Sequence, residues 1–178
     1  MTVLYGLYNF MNLMNLPDDL LPLLNIAFFY LKFRPRTIRE TRDYLYKKVR
    51  TTHWSREAAD KVINHLIKLK FLDDKAFIDY LVNSRTKTKV KGVYAIKQEL
   101  NKFGVDRMLV DEYFSKIEIN EEELAEKILS SRWPRLKSLP KQKRFEKATR
   151  LLISRGFKYE TSKKTIEKFA NKDKKYYY

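Results

Sequence analysis

The sequence predicts an all-α fold: three tandem three-helix repeats forming an elongated, curved array. Three observations carry this expectation. Apolar residues recur at i, i+3, i+4 and i+7, and no segment shows a run of alternating β-branched residues. Ser, Thr, Asp or Asn stands ahead of most apolar runs, where a helix N-terminus needs a side-chain acceptor. The pattern also repeats. Leu31, Leu81 and Leu129 align at separations of 50 and 48 residues, with Ala27, Phe77 and Ala125 four positions before them.

Residues 1–24 read as an apolar N-terminal extension. No basic residue precedes Lys32, and Asn9, Asn12, Asn15, Pro17, Asp18 and Asp19 interrupt the apolar run. That excludes a signal peptide, and no stretch approaches the ~18–20 apolar residues of a membrane span. The expected location is cytoplasmic, and Met11 and Met14 leave room for a later start. The first 16 residues read as a partly ordered extension.

Repeat 1 spans 25–72. Its second helix opens on Thr37-Ile38-Arg39-Glu40, a capping box just after Pro35, and continues through Thr41 and Leu45. Val49 stands where the other repeats carry glycine, so this helix should run a residue or two further than its counterparts. Ser55 opens the third helix, over about 55–70. Repeat 2 spans 73–118. Asp73 and Asp74 precede its first helix; Val93, Ile96 and Leu100 mark the second, stopped by Gly104; Asp106 opens the third. Repeat 3 spans 119–170. Asn120 precedes Glu121, Glu122 and Glu123, whose charges suit a helix N-terminus. Phe145, Ala148 and Leu152 mark its second helix, stopped by Gly156. In the third, over 159–169, Ser162, Ile166 and Phe169 match Val110, Phe114 and Ile117. Residues 171–178 read as a frayed tail.

The chain has 178 residues, with 38 Lys and Arg against 22 Asp and Glu, a formal charge of +16. An acidic partner follows: nucleic acid, an anionic membrane or an acidic protein. There is no Cys, only two His (His53 and His65, both read as structural), and four Gly, at 6, 92, 104 and 156. No glycine-rich phosphate loop can be drawn from these. Catalytic residues, metal ligands and cofactors are therefore assigned to none.

The charge is uneven. Residues 1–31 carry −2, 32–72 carry +8, 73–118 carry +1 and 119–178 carry +9. The first-to-second-helix connections lengthen along the chain and hold the basic runs. Arg34 and Arg36 lie in the first, with Arg39 and Arg42 just inside the next helix. Arg85, Lys87, Lys89, Lys91 and Lys97 lie in or after the second, with no acid between Asp79 and Glu99. Lys127, Arg132, Arg135, Lys137, Lys141, Lys143 and Arg144 lie in the third, with no acid between Glu126 and Glu146. Equivalent positions in tandem units fall on one side of an array, so a basic stripe is expected. The candidate partner- or DNA-binding residues are Arg34, Arg36, Arg42, Arg85, Lys89, Lys91, Lys97, Arg132, Arg135, Lys141, Lys143, Arg144 and Arg155. Arginine is weighted above lysine for its two-pronged contact with phosphate or carboxylate.

Bland readings stand beside these. The basic runs are also what solvated faces of a Lys-rich chain look like, and Arg42 and Arg155 also fit as partners of internal carboxylates. Trp54 and Trp133 suit stacking on unpaired bases or packing between helices.

Four motifs, in order, carry a family resemblance. The segment from Ala27 to Leu45, with Phe33-Arg34-Pro35-Arg36-Thr37-Ile38-Arg39-Glu40 at its centre, resembles the opening repeat of the RecX family of recombinase regulators. Asp73-Asp74-Lys75-Ala76-Phe77 resembles its second-repeat start. Arg85, Gly92, Ile96-Lys97-Gln98-Glu99-Leu100 and Gly104-Val105 resemble its middle motif, and Leu151-Leu152-Ile153-Ser154-Arg155-Gly156-Phe157 its closing motif. The resemblance covers roughly residues 25–170. Val93 replaces a proline often found after the middle glycine, and the apolar N-terminus has no family counterpart.

The resemblance implies a non-enzymatic, monomeric modulator that lodges on the filament of RecA recombinase and single-stranded DNA and restrains its growth, ATP hydrolysis and strand exchange. Duplex DNA is a further candidate ligand, and no membrane is involved. Arg132, Lys143 and Arg144 are expected on the partner-facing surface. Two other classes stay open. One is a stand-alone nucleic-acid-binding or architectural protein. The other is a nuclease, which needs clustered carboxylates and a divalent metal. Asp73-Asp74 and Asp111-Glu112 are sequence neighbours, and adjacent helix positions do not face each other.

Overall fold

The computed structural model describes residues 16–175. Residues 1–15, with the alternative starts, and the terminal tyrosines lie outside the described residues. Within them the chain is helical, with no strand. A 3-10 turn, Asp18–Leu20, leads into nine α-helices: α1 (Leu21–Leu31), α2 (Ile38–Val49), α3 (Arg56–Lys68), α4 (Asp74–Lys87), α5 (Val93–Lys102), α6 (Arg107–Lys116), α7 (Glu121–Leu136), α8 (Lys141–Ser154) and α9 (Tyr159–Lys175).

The periodic alignment has a physical counterpart in burial. Leu45, Leu100 and Leu152 are all fully buried, as are Thr41, Ile96 and Ala148 at the aligned position four residues earlier. Packing groups the described residues into two compact units. One contains residues 16–78 with Phe103–Asp106; the other contains Asp79–Lys102 with 107–175. Of the middle three helices α4 has 14 residues, and α5 and α6 have 10 each. They and the turn between α5 and α6 bury Phe77, Ile78, Leu81, Val82, Ile96, Leu100, Val105 and Val110, and their residues are shared out between the units.

In the first unit α1, α2 and α3 pack together. Leu23, Leu24, Ala27, Leu45, Val62, Ile63 and Leu66 fill the centre. Leu16 and Leu20 join them, so the fold begins inside the segment expected to be an extension. Pro22, in the first turn of α1, starts that helix where a missing N–H costs nothing. The capping box at α2 is complete: Glu40 N–H donates to the Thr37 hydroxyl at 3.0 Å and Thr37 N–H to the Glu40 carboxylate at 3.3 Å. The same Thr37 hydroxyl donates to the Phe103 carbonyl at 2.7 Å, and Phe103 meets Phe77 edge-on at 5.5 Å. Ser55 caps α3 through Ala58 N–H. Helix α2 ends at Val49, four residues past Leu45, whereas α5 and α8 end two residues past Leu100 and Leu152. The expected continuation is present.

In the second unit α7, α8 and α9 pack on one another around Leu129, Trp133, Ala148, Leu152 and Ile166. Asn120 caps α7 through Glu123 N–H at 3.1 Å. Gly156 closes α8 in the left-handed conformation (φ +85°), with Phe157 N–H returning to the Leu152 carbonyl. Gly92 lies against this turn and donates its N–H to the Arg155 carbonyl at 2.9 Å. Helix α7 continues through Pro134 to Leu136, and α9 runs to Lys175, past the expected end at 169.

Candidate nucleic-acid interface

Apart from Arg144 and Arg155, the nominated cations divide into two groups, and carboxylates decide which group each joins. In the first unit Arg34 grips Glu40 with both guanidinium nitrogens, at 2.5 and 3.2 Å, and lies over the Phe103 ring. Arg36 reaches the same carboxylate at 3.6 Å and stacks on Tyr30 at 4.2 Å. Arg42 lies 3.4 Å from Asp60. The capping carboxylate of α2 thus also holds the two arginines that precede the helix.

In the second unit Glu99 collects two more. Arg85 donates to it at 2.7 Å, and Lys91 binds its other oxygen. Burial works against the Glu99 carboxylate, but the hydrogen bonds from Lys91 and Arg85 outweigh it, so its pKa lies below the usual range. Lys97 binds Asp111 at 2.8 Å, which lowers the Asp111 pKa, and lies over Phe114. Arg155 is half-buried, with one guanidinium nitrogen 3.5 Å from the Val90 carbonyl. It ties the α8 turn to the segment before α5 through a backbone carbonyl and not, as the bland reading has it, through a carboxylate.

The remaining nominated residues stand apart. Lys89, Arg132, Arg135, Lys141 and Lys143 are exposed, and none pairs with a carboxylate among the described residues. Four of them occupy one corner, the end of α7 and the first turn of α8, together with exposed Lys137. The expectation placed these residues in a connection. In the structure the connection shrinks to residues 137–140, and Arg132 and Arg135 ride on helix. Proline at position 134 is tolerated in the last turn because the carbonyl it leaves unpaired is near water. Farther back on α7, Glu122 and Glu126 pair with Lys164 and Lys168 of α9.

Trp133 is 6% exposed and packs near Phe169 at 5.3 Å, with Arg144 over its ring at 5.7 Å. Trp54 packs against the first core and donates to the Asp19 carbonyl at 3.1 Å. Both tryptophans therefore pack between elements. Beside Trp133 the sequence reading missed a cleft of about 790 Å³, lined from α7, α8 and α9. Trp133 and Phe145 both line it; periodicity assigns Phe145 to the core and leaves Trp133 between stacking and packing.

No group of three or more His, Asp or Glu able to hold a metal occurs among the described residues. None of their helices is long and apolar enough to cross a membrane.

The fold and the charged corner define a class: an all-helical, strongly basic protein with an exposed cationic helix junction. Comparison with known proteins finds chains to which this one is similar. No family model matches the chain. A curated relative from Streptococcus gordonii, "Regulatory protein RecX", is 30% identical over 142 residues, covering 78% of this chain and 52% of that protein. The relative of the same name from Streptococcus thermophilus is 29% identical over 143 residues, covering 80% and 53%. The chain spans about half the length of the curated relatives it matches. The crystal structure of RecX from Lactobacillus salivarius superposes with a TM-score of 0.71 at 25% identity, covering 86% of this chain and 97% of that one. A second RecX crystal structure shares the fold, with a TM-score of 0.66 at 22% identity. The chain is thus similar to RecX regulatory proteins in sequence and in fold.

Proposed function

We propose that this chain is a RecX-type regulator that binds the RecA–single-stranded DNA filament and restrains its growth, ATP hydrolysis and strand exchange. The observation that carries the reading is the match to RecX regulatory proteins along four-fifths of the chain, joined to the shared fold. The cationic corner supplies compatible chemistry. Exposed Arg and Lys without carboxylate partners meet phosphate with no internal bond to break, and several weak contacts act together on a polymer. A ligand that favours one filament geometry over the growing one shifts that equilibrium by its differential affinity. No covalent step is required, and the protein acts as a cytoplasmic monomer.

The test is RecA-driven ATP hydrolysis on single-stranded DNA with substoichiometric protein. Hydrolysis is expected to fall, and Arg132→Ala, Arg135→Ala and Lys143→Ala together should weaken the effect without altering helix content or melting. Unchanged hydrolysis at low salt, alongside tight binding to bare duplex, assigns the chain to stand-alone nucleic-acid binding instead.

A further inference from the structure

We propose that the cleft between α7, α8 and α9 receives one unstacked nucleobase of a single strand, with its phosphate held by the adjoining cationic corner. This deepens the proposed function and rests on its nucleic-acid component. The cleft has three chemically distinct parts. Trp133, Phe145, Ile166 and Ala170 give it an apolar, partly aromatic floor. Lys141 and Arg144 stand at its α8 side. Glu146 and Glu167 line it with two carboxylates, joined by the amides of Gln142 and Asn171.

A nucleotide carries the complementary separation. Its base is flat and apolar on its faces, and its anionic charge sits several bonds away on the phosphate. Cations belong at the mouth, and Lys141 continues into the exposed run of Arg132, Arg135, Lys137 and Lys143, which lacks carboxylate partners among the described residues. The two carboxylates distinguish this ligand from an acidic peptide. They repel a side-chain carboxylate, whereas they accept hydrogen bonds from the exocyclic amine of cytosine, adenine or guanine. Thymine offers no such amine, so the amine-bearing bases are preferred over it. The cleft is roomy enough to admit a base together with its sugar, and base–aromatic contact is the usual source of affinity in single-strand binding beyond phosphate.

The test uses the full chain carrying Trp54→Phe, which leaves Trp133 as the sole tryptophan emitter. It is titrated at one salt concentration with 20-nucleotide oligo-dC, oligo-dT and an abasic strand of the same length. Oligo-dC should change Trp133 emission and bind about tenfold more tightly than the abasic strand, with oligo-dT between them. Ala170→Phe, which fills the cleft, should abolish the emission change and bring oligo-dC to abasic affinity. Glu167→Gln, a milder change, should narrow the gap between oligo-dC and oligo-dT. Equal binding of oligo-dC and abasic strands with unchanged emission overturns the proposal, while leaving phosphate binding and the regulator reading intact. An emission change produced by an acidic aromatic peptide and not by oligo-dC also overturns it, in favour of a protein ligand.

Discussion

Glu99 sets the behaviour of two nominated cations. Its carboxylate holds Arg85 and Lys91 at once, and all three side chains are largely buried. Glu99→Gln should lower stability by about 2 kcal/mol, because two cations lose their counter-charge in a partly desolvated place. The pH dependence follows from the sign of the shift. The folded-state pKa of Glu99 lies below its ordinary value, so its contribution is fully present above the unfolded carboxylate pKa of about 4.3. It is lost as pH falls from there through the lower folded value. Urea unfolding at pH 7 and pH 3 should therefore show a smaller acid loss in Glu99→Gln than in the unaltered protein. The same residue shows what a linear reading leaves out. Between Asp79 and Glu99 the sequence is free of acids and reads as an open anion-binding run, yet Glu99 and Asp111, at and beyond its end, fold back onto it. Arg132, Arg135, Lys137, Lys141 and Lys143 have no such carboxylate among the described residues, and Glu122 and Glu126 pair with lysines of α9. Pairing across helices, not spacing along them, separates the two cases.

At the scale of elements, helix starts were the most legible feature, because a cap is a local bond. Thr37, Ser55 and Asn120 each accept the backbone N–H expected of them. The two glycine stops also hold, with Gly104 and Gly156 both at positive φ. Lys70 adopts the same left-handed conformation after α3 without glycine, and nothing in its residue type announces that. Gly92 was legible only as part of a motif; its reason is packing. A Cβ there would lie 2.3 Å from the Gly156 carbonyl oxygen and 2.9 Å from Phe157 N, both backbone atoms with no rotamer to yield. Gly92→Ala should cost about 2–3 kcal/mol in chemical unfolding. Lys89→Ala, at an exposed site three residues away, should stay within about 0.5 kcal/mol.

For the whole molecule, the +16 charge overstates what is available to a partner. Arg34, Arg36, Arg42, Arg85, Lys91 and Lys97 each face a carboxylate, so releasing them costs an internal contact. The free corner should dominate the salt response. If Arg132, Arg135, Lys137, Lys141 and Lys143 each neutralise one phosphate, log affinity for single-stranded DNA falls against log salt with a slope of about −3.5. Arg132→Ala with Lys143→Ala should make that slope shallower by about 1.4. Arg34→Ala with Arg85→Ala should instead lower the melting temperature and leave the slope nearly unchanged. A slope lost equally in both pairs would contradict the division. The helical class and its ninefold order were legible because periodicity and caps are local. The division into two units was not, since it depends on where Phe77 and Phe103 meet.

That division bears on synthesis. The first unit takes its closing piece, Phe103–Asp106, from beyond residues 79–102, which belong to the second. As the chain leaves the ribosome, α1, α2 and α3 emerge with their leucines ready to collapse. The carbonyl that receives the Thr37 hydroxyl arrives only after that intervening stretch has been translated. The N-terminal unit therefore waits, partly assembled, for a piece made later, and the usual N-to-C order of domain completion is interleaved here.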